Sequence, residues 1–416
     1  MDIRKEFWTA RASISLIAAI FSLAGALFAL PSAGEEREDS QHWVGIWGAS
    51  PDSTGQVFDG QTIRQILRVN GSGKKIRVRF SNELGTQDLV IGAAHIAVVQ
   101  TGVSIRPETD RVLSFAGQPT VTIAAGSPAL SDPVDIDAPA LSSLAVSIYL
   151  PSSTGPATAH SFVIESTFIS PPGDFTGAAT MPIASFSASR FFLTAIYARS
   201  QSRSAAVVTL GDSITEGVGS SFAADRRWPD RLAERFAASR RQRDMSVVNE
   251  GIGGNRVLHD VVGPNAQSRF DRDVLSQPGS RFVIFLEGIN DIGFAGAVNF
   301  VTADQIIAGY QKIIDRAHSH GLKIFAGTLT PFEGTLIPGY FTPEGESKRQ
   351  AVNTFIRTSG AFDGVIDFEA AIRDPAQPTR MLPAFDSGDH LHPNDAGYQA
   401  MANAINLRLF DFDEDH

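Results

Sequence analysis

The second half of this chain predicts a five-stranded parallel α/β/α sandwich, and the region before it predicts an antiparallel β-sandwich of jelly-roll type. Two observations carry the first assignment. Past residue 205, short continuous apolar runs alternate with segments of helical period, as buried parallel strands joined by crossover helices require. Several of these runs stop abruptly at glycine and polar residues, which is turn chemistry. A third observation carries the second assignment. Between about 42 and 200, short apolar or alternating runs are punctuated by Gly, Pro and Ser, and no segment holds a 3.6-residue period.

The chain opens with Arg4, Lys5 and Arg11, then an apolar run from Ile14 to Leu30, then Pro31-Ser32-Ala33-Gly34 before acidic residues begin at Glu35. A positive start, an apolar middle and a small-residue end predict a signal peptide over 1–34, hence a secreted or periplasmic protein with no stable membrane span after cleavage. An uncleaved anchor is the competing reading, since the run lies at the short limit for spanning. The β region follows over 35–200. Lys75-Ile76-Arg77-Val78-Arg79-Phe80 alternates strictly, with Ile76, Val78 and Phe80 on one face. Further strands are expected within 89–99, 144–150, 162–169 and 191–198. Asn70-Gly71-Ser72-Gly73 and Pro171-Pro172-Gly173-Asp174 are turns between them.

Gln201-Ser202-Arg203-Ser204 is a polar break, and the α/β region occupies 201–416. Its strands are expected at 205–210, 245–249, 281–286, 323–329 and 365–368. Helices are expected at 228–238, 266–276, 345–359 and 395–409. The clearest helix begins at Thr302-Ala303-Asp304-Gln305, a capping-box pattern, carries Ile306, Ile307, Tyr310, Ile313, Ile314 and Ala317 at helical spacing, and stops at Gly321. The expected strand order is 2-1-3-4-5, as in flavodoxin-like sheets. The acidic tail from Asp411 reads as a solvated end.

Composition excludes some functions. The chain has no cysteine, so disulfides, thiolate nucleophiles and Cys-based metal sites are ruled out. A net charge of −10 with no long basic cluster argues against nucleic acid as the main partner. The phosphate-binding patterns Gly-x-x-x-x-Gly-Lys-Ser/Thr and Gly-x-Gly-x-x-Gly are absent, and Ser213 does not stand in Gly-x-Ser-x-Gly.

In an open parallel sheet, functional groups gather at the carboxyl ends of the strands. The first strand ends at Gly211-Asp212-Ser213 and the second at Asn249-Glu250-Gly251-Ile252-Gly253-Gly254-Asn255. The third ends at Glu287-Gly288-Ile289-Asn290-Asp291, and Asp386-Ser387-Gly388-Asp389-His390-Leu391-His392 precedes the last helix. A serine nucleophile needs a histidine to take its proton, a carboxylate to orient that histidine, and donors for the oxyanion. Glycine N–H groups and an asparagine amide can be such donors. Taken singly, each piece has a plainer reading: a turn, an N-cap at Asn290-Asp291, or a His390/His392 pair that is ordinary or binds metal. Their convergence on one edge favours ester chemistry.

These four blocks resemble the SGNH (GDSL) hydrolase family over about 205–410. The resemblance implies Ser213 as nucleophile, with Asp389 and His392 completing the triad. It implies an oxyanion hole of the Ser213 and Gly254 N–H groups and the Asn290 side chain, with Gly253 as the register alternative to Gly254. Asp212 then supports the turn and is not the triad acid. The family's fold, a five-stranded parallel α/β/α sandwich, agrees with the independent reading, and 201–416 becomes the catalytic domain. No metal or organic cofactor is implied. Glu-Gly-Ile-Asn-Asp, Thr330-Pro331-Phe332-Glu333-Gly334 and the wording around Asp389 are similar to the branch of secreted xylan and carbohydrate acetylesterases. The expected partner is therefore a small-molecule or polysaccharide ester. Alternatives are a lipase, phospholipase or thioesterase with the same triad, and a non-catalytic glycan-binding protein. Trp228, Arg256, Glu333 and Tyr340 are read as packing or surface residues before any role beside the site.

Overall fold

The first element is a strand, His42–Gly48, in a computed structural model that describes residues 42–200, 203–294 and 300–412. The expected signal peptide lies outside the described residues, as do residues 413–416 of the acidic tail.

Five parallel strands form the second-half sheet: β1 (Ala205–Gly211), β2 (Met245–Gly251), β3 (Ser280–Leu286), β4 (Lys323–Gly327) and β5 (Gly364–Ile366). Their spatial order is β2-β1-β3-β4-β5, the order expected. Every residue of β1 is buried, which is why its sequence is a continuous apolar run with no polar face. Register places function. Gly211 of β1 sits level with Gly251 of β2 and with Leu286 of β3. The residues that follow those three strands therefore emerge side by side.

The helices are α1 (Ser213–Glu216), α2 (Trp228–Ala238), α3 (Ala266–Phe270), α4 (Ile289–Gly293), α5 (Ala303–Ser319), α6 (Pro343–Thr358), α7 (Phe368–Ile372) and α8 (Asp395–Ala404). They fall into two groups, α5 packing with α3 and α6, and α8 packing with α2 and α7. The capping box at Thr302 and Gln305 starts α5 as its sequence predicts, and Ile306, Tyr310, Ile313, Ile314 and Ala317 are buried. Two helices are shorter than expected. The 266–276 helix is α-helical only to Phe270 and then widens into a π-turn over Asp271–Leu275. The last helix stops at Ala404, followed by a 3₁₀ turn at Leu407–Phe410.

The β region holds two larger antiparallel sheets. One joins His42–Gly48, Leu193–Ser200, Gly73–Ser81 and Pro128–Leu130. The other joins Ser185–Ser187, Thr167–Pro172, Gln61–Arg68, Ser143–Leu150, Ala93–Thr101 and Ser104–Ile105. Ile76, Val78 and Phe80 are fully buried, and they share one core with Ile63, Leu67, Ile96, Val146 and Ile148 of the facing sheet. The strand expected at 162–169 begins only at Thr167. The run at 89–99 breaks at Gly92, where a Cβ would stand 3.1 Å from the Tyr149 ring.

The β region packs directly on the edge of the parallel sheet. Gly45 N–H donates to Pro278 O (2.8 Å), and the Asn70 side chain donates to Val247 O (3.1 Å). Glycine makes the approach possible: a Cβ on Gly48 would fall 2.2 Å from the Glu250 carboxylate and 2.4 Å from Val248. Arg68 reaches across to Glu234 of α2 at 2.9 Å.

Candidate active site

The apolar run of β1 ends at Gly211 because the chain must turn against its neighbours. A Cβ there would lie 2.5 Å from the Leu286 carbonyl. Asp212 caps α1, its Oδ1 accepting the Ile214 N–H at 2.9 Å. Ser213 is thereby the first residue of α1, and Gly217, at φ 106°, ends the helix. Gly251 lets β2 close against it, since a Cβ would stand 2.3 Å from the Glu216 nitrogen.

The partner arrives from the turn before α8. His392 Nε2 lies 2.8 Å from Ser213 Oγ, and His392 Nδ1 lies 2.5 Å from Asp389 Oδ2. The other Asp389 oxygen accepts the N–H groups of Leu391 (2.9 Å) and His392 (2.8 Å) and the Ser387 hydroxyl (3.0 Å). Burial acts to raise the Asp389 pKa, but the hydrogen bond and charge of His392, with those two N–H groups, outweigh it and hold the carboxyl below the ordinary carboxylate range. His390 takes another direction and pairs with Asp386. The two histidines thus bond different carboxylates.

Asn290 sits in α4, whose N-cap is Gly288 at φ 119°, so Asn290-Asp291 is not itself the cap. Its Oδ1 accepts the Tyr340 hydroxyl at 2.8 Å, and its Nδ2 donates to Asn255 O at 3.0 Å. The amide is held at both ends, and these bonds engage one of its two N–H donors. Asp291 caps the next turn, accepting the N–H groups of Val257 (2.7 Å) and Leu258 (3.1 Å). Gly254 has φ 76°, a conformation that favours glycine, and it packs against Val262. Gly253 is differently engaged. A Cβ on it would stand 2.7 Å from Glu216 Oε2. The two register alternatives therefore differ in their surroundings, Gly253 against Glu216 and Gly254 against Val262.

Beneath the strand ends lies a buried group of acids. Burial pushes Asp212 up to about 7, Asp291 to about 6 and Glu250 to about 8, and raises Glu287 well above its ordinary value. One guanidinium ties the layer together. Arg269, fully buried on α3, donates to Gly211 O (2.9 Å), Glu250 O (2.6 Å), Asn255 Oδ1 (2.9 Å) and Asp273 Oδ2 (3.0 Å). It bonds the ends of β1 and β2 and the glycine turn in one step, as its rigid fork allows.

Every residue singled out from the sequence is therefore present at one edge: Ser213, Asp389 and His392 in one hydrogen-bonded line, with Gly254, Asn290 and Asp212 around it. For Tyr340 the sequence predicts a packing or surface residue. It is buried, yet its hydroxyl orients Asn290, and Gly293 leaves room for its ring. Arg269 was not singled out at all. The available signal was a charge on the apolar face formed by Ala266, Phe270 and Val274. Trp228 is buried against Phe368, Arg256 lies over the Phe294 ring, and Glu333 bonds Thr379 and Arg380.

Residues 209–400 match the sequence profile described as the GDSL-like Lipase/Acylhydrolase family. No curated protein matches the chain. Solved structures similar to it include a putative lipolytic protein of the G-D-S-L family from Desulfitobacterium hafniense, at 22% identity and TM-score 0.36, covering 48% of this chain and 96% of that one. An aryl esterase from M. smegmatis is similar at 18% identity and TM-score 0.40, covering 48% and 96%. A carbohydrate acetylesterase from Sinorhizobium meliloti is similar at 17% identity and TM-score 0.40, covering 48% and 95%. Residues 209–400, with the serine turn of β1 at their start, are thus similar to the GDSL-like lipase/acylhydrolase family, and this similarity supports an ester hydrolase.

Proposed function

We propose that the protein is a serine esterase acting through Ser213, His392 and Asp389, most readily on short acyl esters of carbohydrate. The observation that carries the triad is the unbroken line from Ser213 Oγ to His392 Nε2 (2.8 Å) and from His392 Nδ1 to Asp389 Oδ2 (2.5 Å). His392 takes the Ser213 proton as Oγ attacks the ester carbonyl. The Ser213 and Gly254 N–H groups and the Asn290 amide hold the oxyanion. The tetrahedral adduct collapses, and the leaving alcohol departs with the proton from His392. Water, deprotonated by His392, then attacks the acyl-enzyme, which releases the acid and returns the proton to Ser213. Asp389 keeps the proton of neutral His392 on Nδ1, so that Nε2 is free to accept.

A polar leaving group is favoured by the cleft beside the Asp389 turn, lined by Glu333, Asp374, Gln377, Arg380, Asp386 and His390. A second reading, a longer or aromatic acyl group, has its own support. Val262 and Phe294 are about two-fifths exposed beside Gly254 and Tyr340, and Leu336 is 68% exposed next to Asp389. A series of p-nitrophenyl esters from acetyl to palmitoyl, run beside acetate release from acetylated xylan, decides between them. A two-carbon optimum with acetate release supports the carbohydrate reading; an optimum at eight carbons or more overturns it.

The N-terminal reading belongs to the same proposal: cleavage within 1–34 and export to the periplasm or medium. N-terminal sequencing of the mature protein tests it. The jelly-roll-like sandwich of 35–200 and the catalytic domain of 201–416 would then remain as the mature chain.

A further inference from the structure

Of the buried titratable pairs that the mechanism does not use, one joins the β region to the serine helix. His160 stands at the end of the strand Thr158–His160 and is buried where that region meets α1. Its Nδ1 lies 2.7 Å from Ser50 O and its Nε2 lies 3.0 Å from Glu216 Oε1. A carbonyl oxygen can only accept, so Nδ1 carries a proton. Nε2 then faces a carboxylate oxygen across hydrogen-bond distance. The other charged groups around the imidazole and its adjoining cavity are Asp52, whose Oδ2 is 3.6 Å from Nδ1, and Glu165, Arg190 and Arg227.

Glu216 is the last residue of α1, three residues after Ser213. Its backbone nitrogen lies against Gly251, and its carboxylate lies against Gly253, whose Cβ position is 2.7 Å from Oε2. Gly253 in turn stands close to Ser213: its Cβ position is 3.9 Å from Ser213 Cβ. The Glu216 carboxylate therefore stands between the glycine turn of β2 and His160 of the β region.

We propose that His160 is a positioning residue for the oxyanion hole, acting through Glu216 to hold the Gly253–Gly254 turn in register with Ser213. On this account the β region completes the catalytic geometry. The inference rests on the triad reading above. It touches no reacting atom, so removing it should affect the transition state more than ground-state binding.

The test uses the full chain and four variants: His160→Ala, His160→Gln, Glu216→Gln and the double variant His160→Ala/Glu216→Gln. Thermal melts establish the folded fraction. With p-nitrophenyl acetate, kcat per folded enzyme should fall about 10- to 100-fold in each single variant, while KM stays within threefold, as expected for a catalytic group displaced by about 1 Å. Inhibition by phenylboronic acid, which forms a tetrahedral adduct with an active serine, should weaken by the same factor. The double variant should be no worse than the poorer single, because both residues act through one contact. If His160→Ala does not fold, His160→Gln, which keeps a side-chain donor, carries the comparison. A folded His160 variant with kcat within threefold of wild type, or losses that multiply in the double variant, overturns the inference. Ser213→Ala run alongside separates the two levels. Full loss there with normal His160 variants defeats only the positioning role, whereas retained activity there defeats the triad reading beneath it.

Discussion

Tyr340→Phe removes one oxygen and tests how Asn290, the proposed oxyanion donor, is held. The Tyr340 hydroxyl donates to Asn290 Oδ1 at 2.8 Å, while Asn290 Nδ2 donates to Asn255 O at 3.0 Å. Asn290 is 3% exposed, so water does not replace the lost donor. A buried acceptor left unsatisfied costs about 1–3 kcal/mol, which lowers the melting temperature by a few degrees. The catalytic effect is separate. Deleting an oxyanion donor outright costs about 2.7–4 kcal/mol. Here the donor survives and loses one of its two anchors, so the expected loss is smaller, about 1.4 kcal/mol or tenfold in kcat. KM should stay within twofold, since the amide acts on charge that develops only after attack. The assay is steady-state hydrolysis of p-nitrophenyl acetate normalised by active-site titration, with a thermal melt of the same sample. A lowered melting temperature with kcat within twofold of wild type would refute the orienting role and leave Tyr340 as a packing residue.

Asn290→Ala removes the donor itself and should lower kcat by about 10²–10³, beyond the effect of Tyr340→Phe. Asp389→Asn should lower kcat about 10³- to 10⁴-fold with the fold retained, because its amide N–H would face Nδ1 and push the His392 proton onto Nε2. Asp389 titrates below the ordinary carboxylate range, so the stability it contributes is present above that range and lost as pH falls through its folded value. The acid limb of kcat/KM should therefore lie above the pH at which Asp389 protonates; a limb in the Asp389 range contradicts this. Glu250 has the opposite sign. Burial raises it from 4.5 to about 8, so its contribution is fully present below 4.5 and is lost as pH rises toward 8. Gln277 Nε2 donates to Glu250 Oε1 (2.9 Å), and Ser50 Oγ is 2.6 Å from Oε2, contacts that glutamine can reproduce. Glu250→Gln should thus flatten the decline of melting temperature between pH 5 and pH 8, and an unchanged slope would count against a protonated Glu250.

The parallel sheet was legible because its strands are buried on both faces. β1 has no polar face to confuse its period, and its register with β2 and β3 places the serine, glycine and asparagine turns together without further information. The β region was less legible where polar groups are buried. Gln61–Arg68 is a central strand that the hydrophobic pattern did not mark, because Arg64 is buried within it, donating to Ser147 Oγ (2.8 Å) and to the Val103 and Ala178 carbonyls (both 2.8 Å). His42–Gly48 was likewise unmarked. Its Gly45 and Gly48 are needed for close approach to β2, a requirement that shows only when both partners are in place. The site divides in the same way. Ser213, Asn290, Asp389 and His392 lie in short local blocks, whereas Tyr340, Arg269 and His160 each have a partner 50 to 58 residues away. Local pattern carries no record of such pairings.

The central claim is that Ser213 is the nucleophile. The most direct measurement is covalent labelling with a p-nitrophenyl alkylphosphonate, followed by peptide mass spectrometry and a parallel activity assay. The account predicts one adduct per chain, on the peptide carrying Ser213, with esterase activity lost in proportion to labelling. An adduct on another residue that accompanies the loss, or full activity in protein labelled at Ser213, would contradict it.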